Sequence, residues 1–295
     1  MTKKHLLHLL NRLKQPYKNY PSSAHALEGF RLYKNEEIMQ SISKNNPLIL
    51  KYSKLKDKKY RDIEGLFAFD GIKLTIEAIK SNVDILNIFI TQELLAQNVE
   101  ILKKFNDRIF IVSQDIIGKL SPDKTPDGVV CVAKHLDNIS YKETVISGSA
   151  LIAYNIQDPG NLGTIIRSSR AFGIDNLIVS SNCADIYNRR VIRASMGAAF
   201  RQNITVWNKD IDIDFYRDLG YKIIATALRN RCIPLNKLNI NDKTVFVVGN
   251  EGHGLPDEFI EKCDECTIIP MLGDTESLNA STAASILMWE ISKRN

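Results

Sequence analysis

Three stretches of this chain bring together residue types able to hold an anion and to let backbone approach a ligand. In NIQDPGNLGTIIRSSRAFG, residues 155–173, Asp158-Pro159-Gly160 turns the chain. Asn161 then stands where a helix cap belongs, and the helix would carry Arg167 and Arg170. Arg167 follows Asn161 by six residues, a little under two turns, so both are expected to face the end of the preceding strand. A helix start beside arginine suits a phosphate. In FVVGNEGHGL, residues 246–255, Gly249, Gly252 and Gly254 surround Asn250 and Glu251. Glycine admits close backbone approach and positive φ. No GK[ST] follows, so this is not a phosphate P-loop, and it is not GxGxxG. In IIPMLGDTESLNASTAASILMWE, residues 268–290, Ser277-Leu278-Asn279 opens a helix whose Ala280, Ala283 and Ala284 permit close packing. Taken singly, each stretch also has a scaffold reading: a strand-turn-helix, a glycine-rich turn, a tight helix contact. His253 reads as a loop histidine rather than a base.

Positioning these loops requires strands that end together. Apolar runs recur at Ala150–Tyr154, Asn176–Val179, Lys222–Ala225, Thr244–Val248 and Thr267–Ile269, with helical stretches between them. That alternation predicts a parallel sheet covered by helices. Ligands of such sheets sit at the carboxyl ends of the strands, where all three loops emerge. A smaller α/β unit precedes it. Its strands are expected at Gly65–Phe69, Ile85–Ile90, Ile109–Val112 and Val129–Ala133, its helices at Ile72–Lys80 and Glu93–Phe105. The polar residues 136–148 read as a linker. The domains are therefore a helical extension over 1–45, a smaller unit over 46–140 and the sheet domain over 149–295. The extension has no assignable function.

Charge is distributed unevenly. The first 148 residues hold 23 Lys and Arg against 17 Asp and Glu, and the remainder 16 against 17. A basic front half is the footprint expected of a nucleic-acid partner. KYSKLKDKKYR, residues 51–61, sets six Lys and Arg against one Asp with two tyrosines among them. It reads equally as a segment that neutralises phosphates and stacks on bases and as a solvated helix face. Arg193, in NRRVIRASMGA, is a candidate to face RNA or a partner subunit. Arg189 and Arg190 read equally as surface residues.

Composition excludes several classes. No apolar run reaches the ~20 residues of a membrane span, and the basic start lacks a cleavage site for secretion. Five scattered cysteines argue against a disulfide scaffold and for a reducing, cytoplasmic compartment. An organelle remains open. Cys263 and Cys266 form a CxxC without a second ligand pair, so they read as two ordinary thiols and no metal is expected.

The motifs DPGNLGTIIRSSRAFG, VVGNEGHGL and IIPM…SLNAS, in this order on one sheet, resemble those of the SpoU (TrmH) family of SPOUT methyltransferases. KLKDKKYR…GLFAFDGIKL…TPDGVVCVA resembles the substrate-binding domain of that family's ribosomal-RNA branch. Departures are small: Asp70 replaces the usual glutamate before Gly71, and Ala280 a common valine.

The resemblance implies an α/β fold with a C-terminal trefoil knot, from about Thr244 onwards, and a homodimer. It implies S-adenosylmethionine as cofactor, with Thr226, Gly249, Ile269 and Leu278 at its binding positions. The implied reaction is methylation of a ribose 2′-hydroxyl in RNA, most readily ribosomal RNA. Arg167 corresponds to the catalytic arginine. Free arginine is protonated at neutral pH, so its expected role is to bind phosphate and assist the hydroxyl. Asn161, Glu251, Ser277 and Asn279 are the other matching polar residues, assigned to placing the ribose. Rival readings are a transfer-RNA methyltransferase of the same family and a non-enzymatic RNA-binding protein. A dehydrogenase is disfavoured by the missing GxGxxG.

Overall fold

The computed structural model describes residues 42–121, 126–141, 146–207, 212–229, 231–274 and 277–293. Most of the expected N-terminal extension lies outside them. The first unit opens with α1 (Pro47–Ser53) and α2 (Lys58–Glu64), followed by β1 (Leu66–Asp70), α3 (Ile72–Lys80) and β2 (Ile85–Ile90). Then come α4 (Gln92–Gln97), α5 (Val99–Leu102), β3 (Ile109–Ile111), α6 (Gln114–Leu120) and β4 (Val129–Lys134). The helix expected over Glu93–Phe105 is broken. Asn98 leaves helical geometry at φ −129° and turns its side chain onto the Leu94 carbonyl at 2.8 Å. The sheet order is β1-β4-β2-β3, with β4 antiparallel to both neighbours and β2 parallel to β3.

The second unit holds β5 (Ile139–Ser140), β6 (Ala150–Ala153), α7 (Pro159–Ala171), β7 (Asn176–Val179), α8 (Arg189–Ala194) and β8 (Asn203–Val206). It continues through α9 (Ile213–Asp218), β9 (Lys222–Thr226), β10 (Ile233–Pro234), β11 (Thr244–Val248), α10 (Asp257–Lys262), β12 (Glu265–Ile268) and α11 (Ala280–Ser292). The eight strands run in the order β10-β12-β9-β11-β6-β7-β8-β5, and every pair is parallel. The central strand TVFVV is buried at all five positions, as a strand covered on both faces must be. The polar segment read as a linker supplies β5, which pairs with β8 at the sheet edge.

The two units share one apolar core. Phe67 of β1 packs on Tyr187 with ring centroids 4.9 Å apart, and Phe69 packs on Phe200 at 5.3 Å. His135 stacks on Tyr187 at 4.0 Å, and the Tyr187 hydroxyl accepts from the Leu136 N–H at 2.7 Å. A buried ion pair crosses beside these rings. Arg61 donates to the Asp185 carboxylate at 2.5 and 3.0 Å and to the carbonyls of Leu55 and Lys56 at 2.8 Å. Arg61 therefore belongs neither to a free phosphate-binding face nor to a solvated one, the two readings the sequence left equal. Tyr52 is likewise buried, with its hydroxyl on Asn87 at 2.7 Å, so of the two tyrosines in that segment it cannot stack on a base. Composition sets the charge of a segment but not which side of each helix turns inward.

The cysteines also depart from expectation. Cys232 and Cys266 are joined as a disulfide with Cα atoms 4.6 Å apart, so Cys266 is not an ordinary thiol paired in sequence with Cys263. The cause is register: Ile233 lies opposite Thr267 in the parallel β10–β12 pair, which brings the preceding residues together across 34 positions of sequence. Among the described residues no helix is long and apolar enough to cross a membrane.

Arg61 and Asp185 are almost wholly desolvated, so removing one partner leaves the other uncompensated. Arg61→Met is expected to destabilise the fold by about 3–5 kcal/mol in urea unfolding. A loss below about 1 kcal/mol would show that the pair contributes nothing to joining the units.

Candidate active site

The carboxyl ends of β6, β9, β11 and β12 deliver four loops to one place. After β6 the chain passes through Asn155 in left-handed geometry at φ 55°. Its N–H donates to the Ser180 hydroxyl at 2.8 Å, and its carbonyl accepts from the Asn250 side chain at 2.9 Å. Helix α7 then begins three residues earlier than the sequence suggested. Asp158, not Asn161, is its cap, accepting from the Asn161 N–H at 2.8 Å with Pro159 in the first turn.

Relieved of capping, the Asn161 side chain reaches outward. Its amide donates to Glu251 Oε1 at 2.8 Å, and its carbonyl oxygen accepts from Asn279 Nδ2 at 3.0 Å. Asn279 in turn caps α11, its Oδ1 accepting from the Ser281 N–H at 2.9 Å and the Ser281 hydroxyl at 2.6 Å. One amide thus ties together the loops after β6, β11 and β12.

The loop after β11 is closed on itself. Asn250 and Gly254 exchange backbone hydrogen bonds of 3.1 and 3.0 Å, and Asn250 Oδ1 accepts from the N–H groups of Gly252 and His253. A Cβ on Gly249 would stand 2.5 Å from the Gly254 carbonyl carbon. The bare position therefore serves the loop's own closure, whereas sequence assigned its room to a ligand.

Beneath these loops lies a cavity of about 370 Å³. Thr226, Gly249, Ile269 and Leu278, the four expected cofactor positions, all line it, and so do Glu251 and Ser277. Thr226 Oγ1 is buried with no hydrogen-bond partner among the described residues. Leu228, Arg229, His253 and Met271 join the lining without having been expected. Their position just past the strand ends was the available signal, since nothing in their residue pattern marks them.

Arg167 does not line this cavity. Six helical residues carry it about 120° round from Asn161, so the two do not share a face. It stands one turn beyond Gly163, and a Cβ on Gly163 would meet the Val191 carbonyl at 2.6 Å and Ala194 Cβ at 2.5 Å. Arg167 thus emerges on the side of α7 that crosses α8, exposed and without an ion pair among the described residues. Arg189, Arg190 and Arg193 lie on α8 itself, with Asn188 as its cap. Arg189 is buried, and Arg193 is half-exposed near Asp127 at 3.9 Å.

No cysteine offers a nucleophile here. Burial pushes the Cys131 and Cys263 thiols up to about 12 and raises that of Cys183, and the remaining two are bonded to each other.

Comparison with known proteins agrees with this arrangement. Residues 148–289 match the SpoU rRNA Methylase family, and residues 46–131 match an MRM3-like substrate binding domain. A Bacillus subtilis protein named 23S rRNA (guanosine(2553)-2′-O)-methyltransferase RlmP is 28% identical over 250 residues, covering 84% of this chain and 97% of its own. A Staphylococcus aureus protein named as a TrmH family tRNA/rRNA methyltransferase is 31% identical over 229 residues, covering 74% of this chain and 92% of its own. The crystal structure of an AdoMet-bound rRNA methyltransferase from Sinorhizobium meliloti superposes with a TM-score of 0.74 at 26% identity, over 86% of this chain and 98% of that one. The chain belongs to the SpoU (TrmH) family of RNA methyltransferases.

Proposed function

We propose that this protein methylates a ribose 2′-hydroxyl of ribosomal RNA with S-adenosylmethionine as donor. The observation that carries the reading is the convergence of the loops after β9, β11 and β12, the last two joined through Asn161, on a cavity whose buried Thr226 hydroxyl has no hydrogen-bond partner among the described residues. The lining fits such a donor: apolar walls at Ile269 and Leu278, a polar group at Thr226 and a carboxylate at Glu251. S-adenosylmethionine supplies an electrophilic sulfonium methyl when bound. The protein's task is then to place one hydroxyl and to favour loss of its proton. Arg167 takes the neighbouring phosphate and assists the hydroxyl. Asn161 holds Glu251, and together with Ser277 and Asn279 they fix the ribose. The absence of a low-pKa thiol supports the ribose over a base as acceptor.

The protein acts in this reading as a cytoplasmic homodimer. Trp289, half-exposed on α11 beside Phe172, supports a covered surface there. A second subunit also accounts for an exposed catalytic Arg167 outside its own chain's cavity. The units then divide as 46–140 for RNA and 149–295 for transfer, with the remaining lysines of 51–61, among them Lys54 and Lys56, meeting phosphate.

Three outcomes test this. With a proven RNA substrate, replacing only the target ribose by its 2′-deoxy form should abolish methyl incorporation while binding changes little. Base methylation of the deoxy fragment, read by mass spectrometry, would refute the ribose reading. Arg167→Ala should lower transfer by a hundredfold or more, about 2.7 kcal/mol, with S-adenosylmethionine affinity retained. Asn161→Ala should weaken both, because it frees the loops that form the cavity wall, and unchanged cofactor affinity would count against its bridging role.

A further inference from the structure

The cavity has an uneven charge of its own. Among the described residues its ionisable lining side chains are Arg229, Glu251 and His253. Glu251 comes from the loop after β11 and is engaged by Asn161. Arg229 comes from a different loop, three residues beyond the end of β9 and its unpartnered Thr226 hydroxyl. No family motif of this chain contains it.

The segment bearing Arg229 is fixed at both ends. The Ala227 N–H donates to the Thr267 carbonyl at 3.0 Å, and the Cys232 N–H donates to the Arg229 carbonyl at 3.0 Å. The Cys232–Cys266 bond fastens the far side of this turn to β12. The guanidinium itself is held by Asp257 Oδ1 at 2.6 Å, at the first residue of α10. Both side chains are largely exposed, at 50% and 71%. An exposed pair of this kind is weak and exchanges readily for a better carboxylate. A guanidinium offers a planar fork that matches a carboxylate through two parallel hydrogen bonds.

S-adenosylmethionine carries a carboxylate at one end of its amino-acid arm and positive charge at its ammonium and sulfonium. The positive groups are repelled by Arg229 and drawn towards Glu251, while the carboxylate is drawn the other way. We infer that Arg229 receives the α-carboxylate of the cofactor, with Asp257 holding the guanidinium until that carboxylate replaces it. The inference rests on reading the cavity as the S-adenosylmethionine site. Arg229 is on this view the group that fixes which way round the cofactor lies.

Calorimetric titration of the full-length protein tests it without RNA or turnover. The probes are S-adenosylmethionine and its decarboxylated form, which lacks only the carboxylate. The wild-type protein should bind the carboxylate-bearing form about tenfold more tightly. Arg229→Met should erase that preference by weakening S-adenosylmethionine and leaving the decarboxylated form unchanged. Should the methionine variant not fold, Arg229→Lys, which keeps the charge and loses the fork, should lose most of the preference. Equal affinities in the wild type overturn the inference, as does a preference that survives either substitution. Normal S-adenosylmethionine binding by Arg229→Met with weakened RNA binding also overturns it and assigns the guanidinium to phosphate. Failure of both probes to bind the wild type would instead refute the cofactor site, which is a separate result.

Discussion

The site depends on one side-chain amide. Asn161 has a donor and an acceptor to satisfy, and it spends the first on Glu251 and the second on Asn279. These partners lie 90 and 118 residues away in sequence, on loops that leave different strands. Because Asp158 caps the helix, the amide is free to bridge. Because Asn279 also caps α11, the bridge fixes where that helix starts. Closure of the loop after β11 through Gly249 and Gly254 then gives Glu251 a rigid base. The cavity lies under loops held in this way.

The second constraint is the shared core of the two units. Phe67, Phe69, Tyr187 and Phe200 come from both, and the Arg61–Asp185 pair crosses beside them. A unit attached by a free tether would sample many orientations over the site. Here aromatic packing and a desolvated ion pair give it one, so the first unit meets the second at a fixed angle.

The architecture was legible because it rests on periodicity. Five apolar runs spaced by helices give a parallel sheet, and four of the five coincide with observed strands to within a residue at either end. The strands β5 and β10 were missed because two residues carry too little pattern, and β8, NITV, because polar residues interrupt its apolar run. All four expected cofactor positions reached one cavity because motif residues at strand ends are placed by the sheet itself. What sequence misjudged depends on facing or on distance. Asn161 was read as a cap although the Asp-Pro pair ahead of it was the stronger start signal. Tyr52 and Arg61 face inward from a segment whose composition is that of a surface. The partner of Cys266 lies just before a neighbouring strand, where spacing in sequence carries no information.

The two outermost strands of the large sheet are two residues long apiece, one of them supplied by the segment that connects the units. A parallel sheet of this breadth would otherwise end in open rows of unpaired N–H and carbonyl groups, a template on which further chains can grow. Stubs at both margins shorten that template to almost nothing. The connecting segment therefore guards against runaway aggregation as well as joining two units.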